Sequence, residues 1–152
     1  MRKIAVTLSK GGVGKSTSAT NLAHGLAQSG YKVLIIDTDT QGQVAEIFGQ
    51  EPGVGLAEVL AEEVQPEDAL MAVRDNLWVL AGGRQLASAK RLLARQEFGG
   101  ERMMAKMLAP YDEYFDYAIL DTAPGWDALT IGCIPVFTLT QQRRQAENKP
   151  SF

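Results

Sequence analysis

Between Thr7 and Ala23 the chain reads TLSKGGVGKSTSATNLA, in which Lys10 and Lys15 flank a run containing Gly11, Gly12 and Gly14. Glycines at a strand-to-helix junction let successive backbone N–H groups turn inward, and the positive end of the helix dipole adds to the same field. The product is a cradle for phosphate. Lys15, at the helix start, is placed to reach β and γ oxygens, and the Ser16 hydroxyl stands where a Mg²⁺ ligand is needed. A nucleoside triphosphate is the ligand that uses all of these groups. The candidate binding set is therefore Lys10, Gly11, Gly12, Val13, Gly14, Lys15, Ser16 and Thr17. The bland alternative is a turn that only joins strand to helix and leaves its lysines in solvent.

Such a loop needs a strand before it and a helix after it. Lys3 to Leu8 is a short apolar, β-branched run bounded by Ser9 and the glycines, which predicts a buried strand. From Ser16 onward Ala19, Leu22, Ala23, Leu26 and Ala27 recur at helical spacing, forming one apolar stripe of a helix that Gly30 ends. Val33 to Ile36 predicts a second buried strand, closed by Asp37. Strand, helix and strand in about 35 residues make a βαβ unit with parallel strands, and hence a layered α/β fold. Downstream, Leu56–Glu63 and Arg84–Gln96 read as helices and Leu77–Leu80 as a short strand. Met103, Met104, Met107 and Leu108 share one face of a helix over Glu101–Ala109, better suited to core packing than to a sticky surface. Tyr117–Leu120 is a strand ending at Asp121. After Trp126 the pattern weakens: Asp127–Ile131 begins a helix, Ile134–Leu139 reads as a strand interrupted by Pro135, and TQQRRQAENKPSF reads as a disordered tail.

Composition narrows the function classes. The 152 residues carry 45% hydrophobic side chains, enough for one globular domain with a genuine core. A net charge of −3 argues against a surface coated in positive potential for nucleic acid. The single cysteine, Cys133, cannot form an intrachain disulfide and is best read as a small buried hydrophobe, so a reducing cytoplasm is the expected compartment. Arg2 and Lys3 precede an apolar run too short for a signal peptide, and no stretch reaches the ~20 apolar residues of a membrane span. His24, among polar residues of the first helix, is read as solvated.

The strict phosphate-loop pattern begins with glycine, whereas Ser9 stands here, and KGGVGKS (Lys10–Ser16) is the deviant form. In this the chain resembles the ParA/MinD family of P-loop ATPases. The resemblance implies that Lys10 is a signature lysine reaching phosphates bound by a second subunit, with Gly12 letting two backbones approach. IIDTDTQGQ (Ile35–Gln43) is similar to the family segment D-x-D-P-Q-G-N, with Thr40 and Gln43 departing from it. By that likeness Asp39 places and activates the attacking water and Asp37 sits near the metal. YAILDTAPG (Tyr117–Gly125) resembles the Walker B strand and its loop, so that Asp121 holds Mg²⁺ through water. Read from its residues alone, Asp121 could equally cap a following helix. GWDALT (Gly125–Thr130) also fits, with Trp126 either at the dimer face or packed inside.

The resemblance implies a three-layer, mostly parallel sheet flanked by helices, the P-loop NTPase fold of the SIMIBI class. It covers Met1 to about Thr130, giving an expected domain over 1–132 and an atypical segment over 133–152. The expectation is a chain cut short, or shifted in frame, after about Ile131, with base recognition and non-specific DNA binding put in doubt. The leading expectation is a ParA-like ATPase using ATP and Mg²⁺. It forms a homodimer on ATP, a ParB-like protein stimulates its slow hydrolysis, and it positions a plasmid, chromosome or other cargo. It is cytoplasmic, with a nucleoid association in the family's manner. Alternatives are a non-catalytic nucleotide-binding or dimerisation module and, ranked lower, a MinD-like division regulator, since the chain from Gln141 has no apolar face for a membrane. One cysteine excludes an iron-protein relative that needs paired cluster ligands.

Overall fold

The computed structural model describes residues 1–95 and 99–147. Five strands, β1 (Arg2–Val6), β2 (Val33–Asp37), β3 (Leu70–Arg74), β4 (Leu77–Leu80) and β5 (Tyr117–Asp121), form one sheet in the order β1-β5-β2-β4-β3. β1, β5, β2 and β4 are mutually parallel, and β3 closes the far edge antiparallel to β4. The helices are α1 (Lys15–Gln28), α2 (Gln43–Ile47), α3 (Leu56–Leu60), α4 (Pro66–Ala69), α5 (Leu86–Leu93), α6 (Gly99–Leu108) and α7 (Ala128–Glu147).

Strand alternation explains the layers. Along β2, Leu34 and Ile36 point to one side of the sheet and Val33 and Ile35 to the other, and all are buried. Ala118 and Leu120 in β5 join the first side, and Ile119 the second. On the second side lie Ala19, Ala23 and Ala27 of α1 with Val44 and Ala45 of α2, whose small side chains let both helices sit close to the sheet. On the first side α3, α5, α6 and α7 contribute Leu56, Leu86, Met104, Leu108, Leu129 and Phe137. The expected three-layer, mostly parallel architecture is therefore present.

The strand expected over Lys3–Leu8 is β1, but it stands at the sheet edge and is only partly buried, and Leu8 is exposed in the loop beyond it. β1 and β2 are parallel as expected yet not neighbours, because β5 inserts between them. Leu22 departs from the apolar stripe and is 41% exposed, while Ala19, Ala23 and Ala27, with Leu26 beside them, meet the core. Gly30, at φ +87°, ends α1: its N–H donates to the Ala27 carbonyl and Tyr31 N–H to that of Leu26, the paired bonds of a left-handed C-terminal cap. The methionine face of α6 is core, with Met104 fully buried. The helix expected over Arg84–Gln96 is α5, and Gln96 lies outside the described residues.

One expectation for the chain after Trp126 is overturned: Ile134–Leu139 is not a strand but part of α7, which runs to Glu147, and 148–152 lie outside the described residues. Asp127 starts the helix by accepting the Thr130 amide at 2.8 Å. Leu129, Cys133 and Phe137 then fall four residues apart and are buried against α6 and β1, so tertiary packing overrides the β-propensity of the run. The boundary expected at residue 132 falls inside this helix.

Candidate functional site

The sheet register gathers the predicted residues at one end. Val6, Asp121 and Asp37 are lateral neighbours at the carboxyl ends of β1, β5 and β2, the place where open α/β sheets bind ligands. Two threonines fasten this end together. Thr38 donates both its amide and its hydroxyl to the Asp121 carbonyl, each at 3.0 Å, and Thr122 donates its hydroxyl to the Val6 carbonyl at 2.9 Å. Both are buried. Thr38 has no role in the sequence reading, and Thr122 enters it only as the first residue of the turn after β5, although a threonine directly after each strand-ending aspartate is a readable signal.

From β1 the chain enters the glycine loop. Gly12 and Gly14 hold φ of +68° and +84°, a region side chains rarely adopt. A Cβ on Gly12 would meet nothing within this chain, so within one subunit the backbone angle is what requires glycine there. Gly14 passes directly into α1, and its carbonyl accepts the Ser18 amide at 2.8 Å. The Lys15 side chain is buried, and its ammonium donates to the Lys10 carbonyl at 3.1 Å, so the cation lies folded over the loop. Lys10, Val13 and Thr17 are exposed, and Ser16 is half-buried.

Opposite Lys15 stands Asp121, buried, with no hydrogen-bond partner on either carboxylate oxygen. Burial pushes its carboxyl above the usual carboxylate range. Ser16, which lies on it without reaching good hydrogen-bond geometry, and Lys15 hold it down, while the charge of Asp39 pushes it up. A buried carboxylate with two orphaned oxygens beside a hydroxyl suits a hydrated divalent cation, which satisfies oxygens that the protein leaves bare. Among the described residues no group of three or more His, Cys, Asp or Glu side chains forms a metal cage. That pattern fits Mg²⁺, which takes one or two carboxylates and relies on phosphate and water for the rest.

Asp37 behaves differently. Its two oxygens accept the Asp39 amide at 2.8 Å and the Val44 amide at 3.2 Å, so it braces the loop from 38 to 44 against the entry of α2. Burial raises its pKa to about 7, the two amides oppose the rise, and the charges of Asp121 and Asp39 add to it. Asp39 is half-buried; its carboxylate accepts the Gln41 amide at 3.0 Å, and its carbonyl accepts those of Gly42 and Gly83. All eleven predicted site residues thus lie at one end of the sheet, on the ends of β2 and β5, the loops and the first turn of α1. A cavity of about 700 Å³ between α3 and α5 contains none of them. Trp126, 59% exposed, is not a packing aromatic. His24 is half-buried, and its Nδ1 has no partner.

Comparison with known proteins agrees with this geometry. A family model described as an AAA domain matches residues 1–136. The maintenance of carboxysome distribution protein A of Gloeothece citriformis is 33% identical over 138 residues, which are 88% of this chain and 53% of the relative. The chromosome-partitioning ATPase Soj of Thermus thermophilus is 34% identical over 134 residues, covering 88% and 51%. Among solved structures, cobyrinic acid a,c-diamide synthase from Mycobacterium smegmatis, with an ATP analogue and magnesium bound, superposes with a TM-score of 0.81 at 31% identity, covering 87% and 55%. The chain spans about half the length of the curated relatives it matches.

Proposed function

Because the chain belongs to the ParA/MinD family of P-loop ATPases, we propose that its glycine loop binds ATP with Mg²⁺ and that it hydrolyses ATP slowly as part of a partitioning or positioning cycle. One observation carries the reading: the buried Asp121 carboxylate, with no hydrogen-bond partner on either oxygen, feels the charge of Lys15, whose ammonium is folded back on the glycine loop that leads into α1. Bound there, Mg²⁺ supplies charge that neutralises the developing negative oxygens of phosphoryl transfer.

The residues divide the work as follows. Amides from Gly11 to Lys15, with those of Ser16 and Thr17 at the helix start, donate to phosphate oxygens, and Val13 contributes backbone only. Lys15 exchanges the Lys10 carbonyl for a phosphate oxygen. Ser16 and Asp121 hold the metal, with Asp37 beside it bracing the loop. Asp39, half-buried at the sheet end, orients the attacking water, and carboxylate positioning of this kind is most of what the protein supplies to phosphoryl transfer. Exposed Lys10 reaches the phosphates of a second copy, making ATP the bridge of a homodimer. A ParB-like partner stimulates turnover. The compartment is the cytoplasm; among the described residues no helix is long and apolar enough to cross a membrane.

A second reading is a nucleotide-binding or dimerisation module without turnover. Equilibrium binding of ATP with Mg²⁺, measured beside phosphate release, separates the two. Lys15→Ala is expected to abolish binding, and Asp39→Ala to keep binding while losing hydrolysis. Binding without phosphate release in the unaltered chain supports the module. Equal loss of binding in both variants refutes the assigned roles.

A further inference from the structure

The loop that carries Asp39 rests on a turn that belongs to neither nucleotide motif. β4 ends at Leu80, and Ala81, Gly82 and Gly83 follow it across the carboxyl end of β2. Gly83 N–H donates to the Asp39 carbonyl at 3.0 Å, the bond that ties the two loops. Gly82 lies closer still. A Cβ there would stand 2.5 Å from the Asp39 carbonyl oxygen, 2.8 Å from Asp37 Cγ and 2.9 Å from Asp37 Oδ1, distances that real Cβ atoms essentially never show. The approach is tight from the other side too, since a Cβ on Gly42 would lie 3.1 Å from Gly83 Cα and 3.2 Å from the Gly82 carbonyl oxygen. Gly83, at φ +143°, also needs glycine for its backbone.

From these distances we infer that Gly82 is a positioning residue for Asp39: its missing side chain sets how deeply the 38–42 loop seats, and so where the Asp39 carboxylate stands. The inference rests on the role proposed for Asp39. The contacts are all with backbone or with the braced Asp37 carboxylate, not with the end of a flexible chain. Ordinary contact begins at 3.4 Å, so any side chain at 82 pushes the loop outward by about 1 Å, a displacement that at a reacting centre costs on the order of 10²-fold in rate. The glycine loop, Lys15 at the start of α1 and Asp121 on β5 lie outside this contact, so grip on the nucleotide persists while the water-orienting group moves. The turn also opens α5, because the Gly83 carbonyl accepts the Leu86 amide at 3.0 Å, and α5 in turn holds Asp127 through Lys90 at 2.6 Å. The seat of Asp39 is therefore framed by the same helix that reaches the start of α7.

The test uses Gly82→Ala in the full chain, with Gly53→Ala, whose Cβ would meet nothing within 4 Å, as control. The first readout needs no nucleotide: amide hydrogen exchange at Asp39, Val44 and Gly83, compared with amides of β2 and β5. The expected result for Gly82→Ala is exchange at least tenfold faster at those three positions and unchanged in the two strands. The second readout is ATP·Mg²⁺ affinity against turnover, with affinity within threefold and turnover 10- to 100-fold lower. Gly53→Ala is expected to match the unaltered chain in both. Unchanged exchange at the three amides overturns the inference, as does a fall in affinity as large as the fall in turnover. If the unaltered chain binds ATP without turning it over, the proposed role of Asp39 fails, and the exchange result still decides whether Gly82 seats its loop. Should Gly82→Ala not fold, Gly42→Ala presses the same two loops apart from the other side; because φ +65° strains it by itself, its readouts are compared with those of Gly49→Ala, at φ +72° with nothing within 4 Å of a Cβ.

Discussion

Without nucleotide, Asp37 should make this protein less stable as pH rises through the weakly acidic range. Its side chain is fully buried at the end of β2, with the charges of Asp121 and Asp39 nearby, and its pKa is raised from 3.8 to about 7. The folded state therefore holds a proton that the unfolded chain releases at lower pH. Between about 3.8 and about 7 the folded form binds more protons, and linkage then requires stability to fall as pH increases through that window. At 1.36 kcal/mol per pH unit the full effect is about 4 kcal/mol at most. Urea unfolding at a series of pH values from 4.5 to 8, on the unaltered chain and on Asp37→Asn, isolates it. Other carboxylates, including Asp127, whose pairing with Lys90 and the Thr130 amide outweighs its burial and lowers its pKa, titrate in both proteins and largely cancel in the difference. The unaltered chain should lose stability relative to Asp37→Asn as pH rises toward 7, and the difference should level off above it. Parallel curves would refute the argument. Saturating ATP with Mg²⁺ places positive charge beside these carboxylates and should move the window to lower pH.

Three further outcomes follow from the packing. Cys133 is fully buried, and burial with the nearby Asp127 charge pushes its thiol up to about 12 against the opposing Lys90; it should resist a disulfide exchange reagent in the folded protein and react on unfolding in guanidinium. Lys90→Ala should cost about 1–3 kcal/mol in urea unfolding, because it strands Asp127, whose partner ammonium is only 12% exposed, and loosens the start of α7; a change under about 0.5 kcal/mol would show the pair to be inert. Gly30→Ala should cost about 1 kcal/mol through its φ of +87° alone, since no neighbour opposes a Cβ there, and thermal unfolding would register it as a lowered midpoint.

What could be read from the sequence was what depends on neighbours along the chain. The alanine face of α1, its glycine stop and the apolar run Val33–Ile36 of β2 are each specified within a dozen residues, and each is present. What was missed depends on partners far away. β3 was not anticipated because Leu70–Arg74 shows only weak alternation and exists by pairing with β4, although Asp75-Asn76, with Asn76 at φ +59°, is a hairpin signal that was there to read. The run from Ile134 to Leu139 is rich in strand-formers and contains a proline, yet Leu129, Cys133 and Phe137 recur every four residues, a spacing that one face of a helix running through Pro135 accommodates. Local propensity and periodicity disagreed there, and periodicity prevailed because it puts apolar surface against α6 and β1.

The site divides along the same line, and its hidden part explains a conflict built into the molecule. Glycines, lysines and strand-ending aspartates are legible because their chemistry requires those residue types at those spacings. The threonines that tie the strand ends and the glycines at 82 and 83 are not, because they are selected by distances across the sheet. Those quiet residues hold Asp37, Asp39 and Asp121 together at the sheet end, two of them buried and one half-buried, with two oxygens of Asp121 left unpaired. A core optimised only for stability would dilute such like charges or pair them. Under the proposed function this grouping is what a pocket for a cation and a polyanion requires: repulsion in the empty protein would become binding energy when Mg²⁺ and phosphate bind.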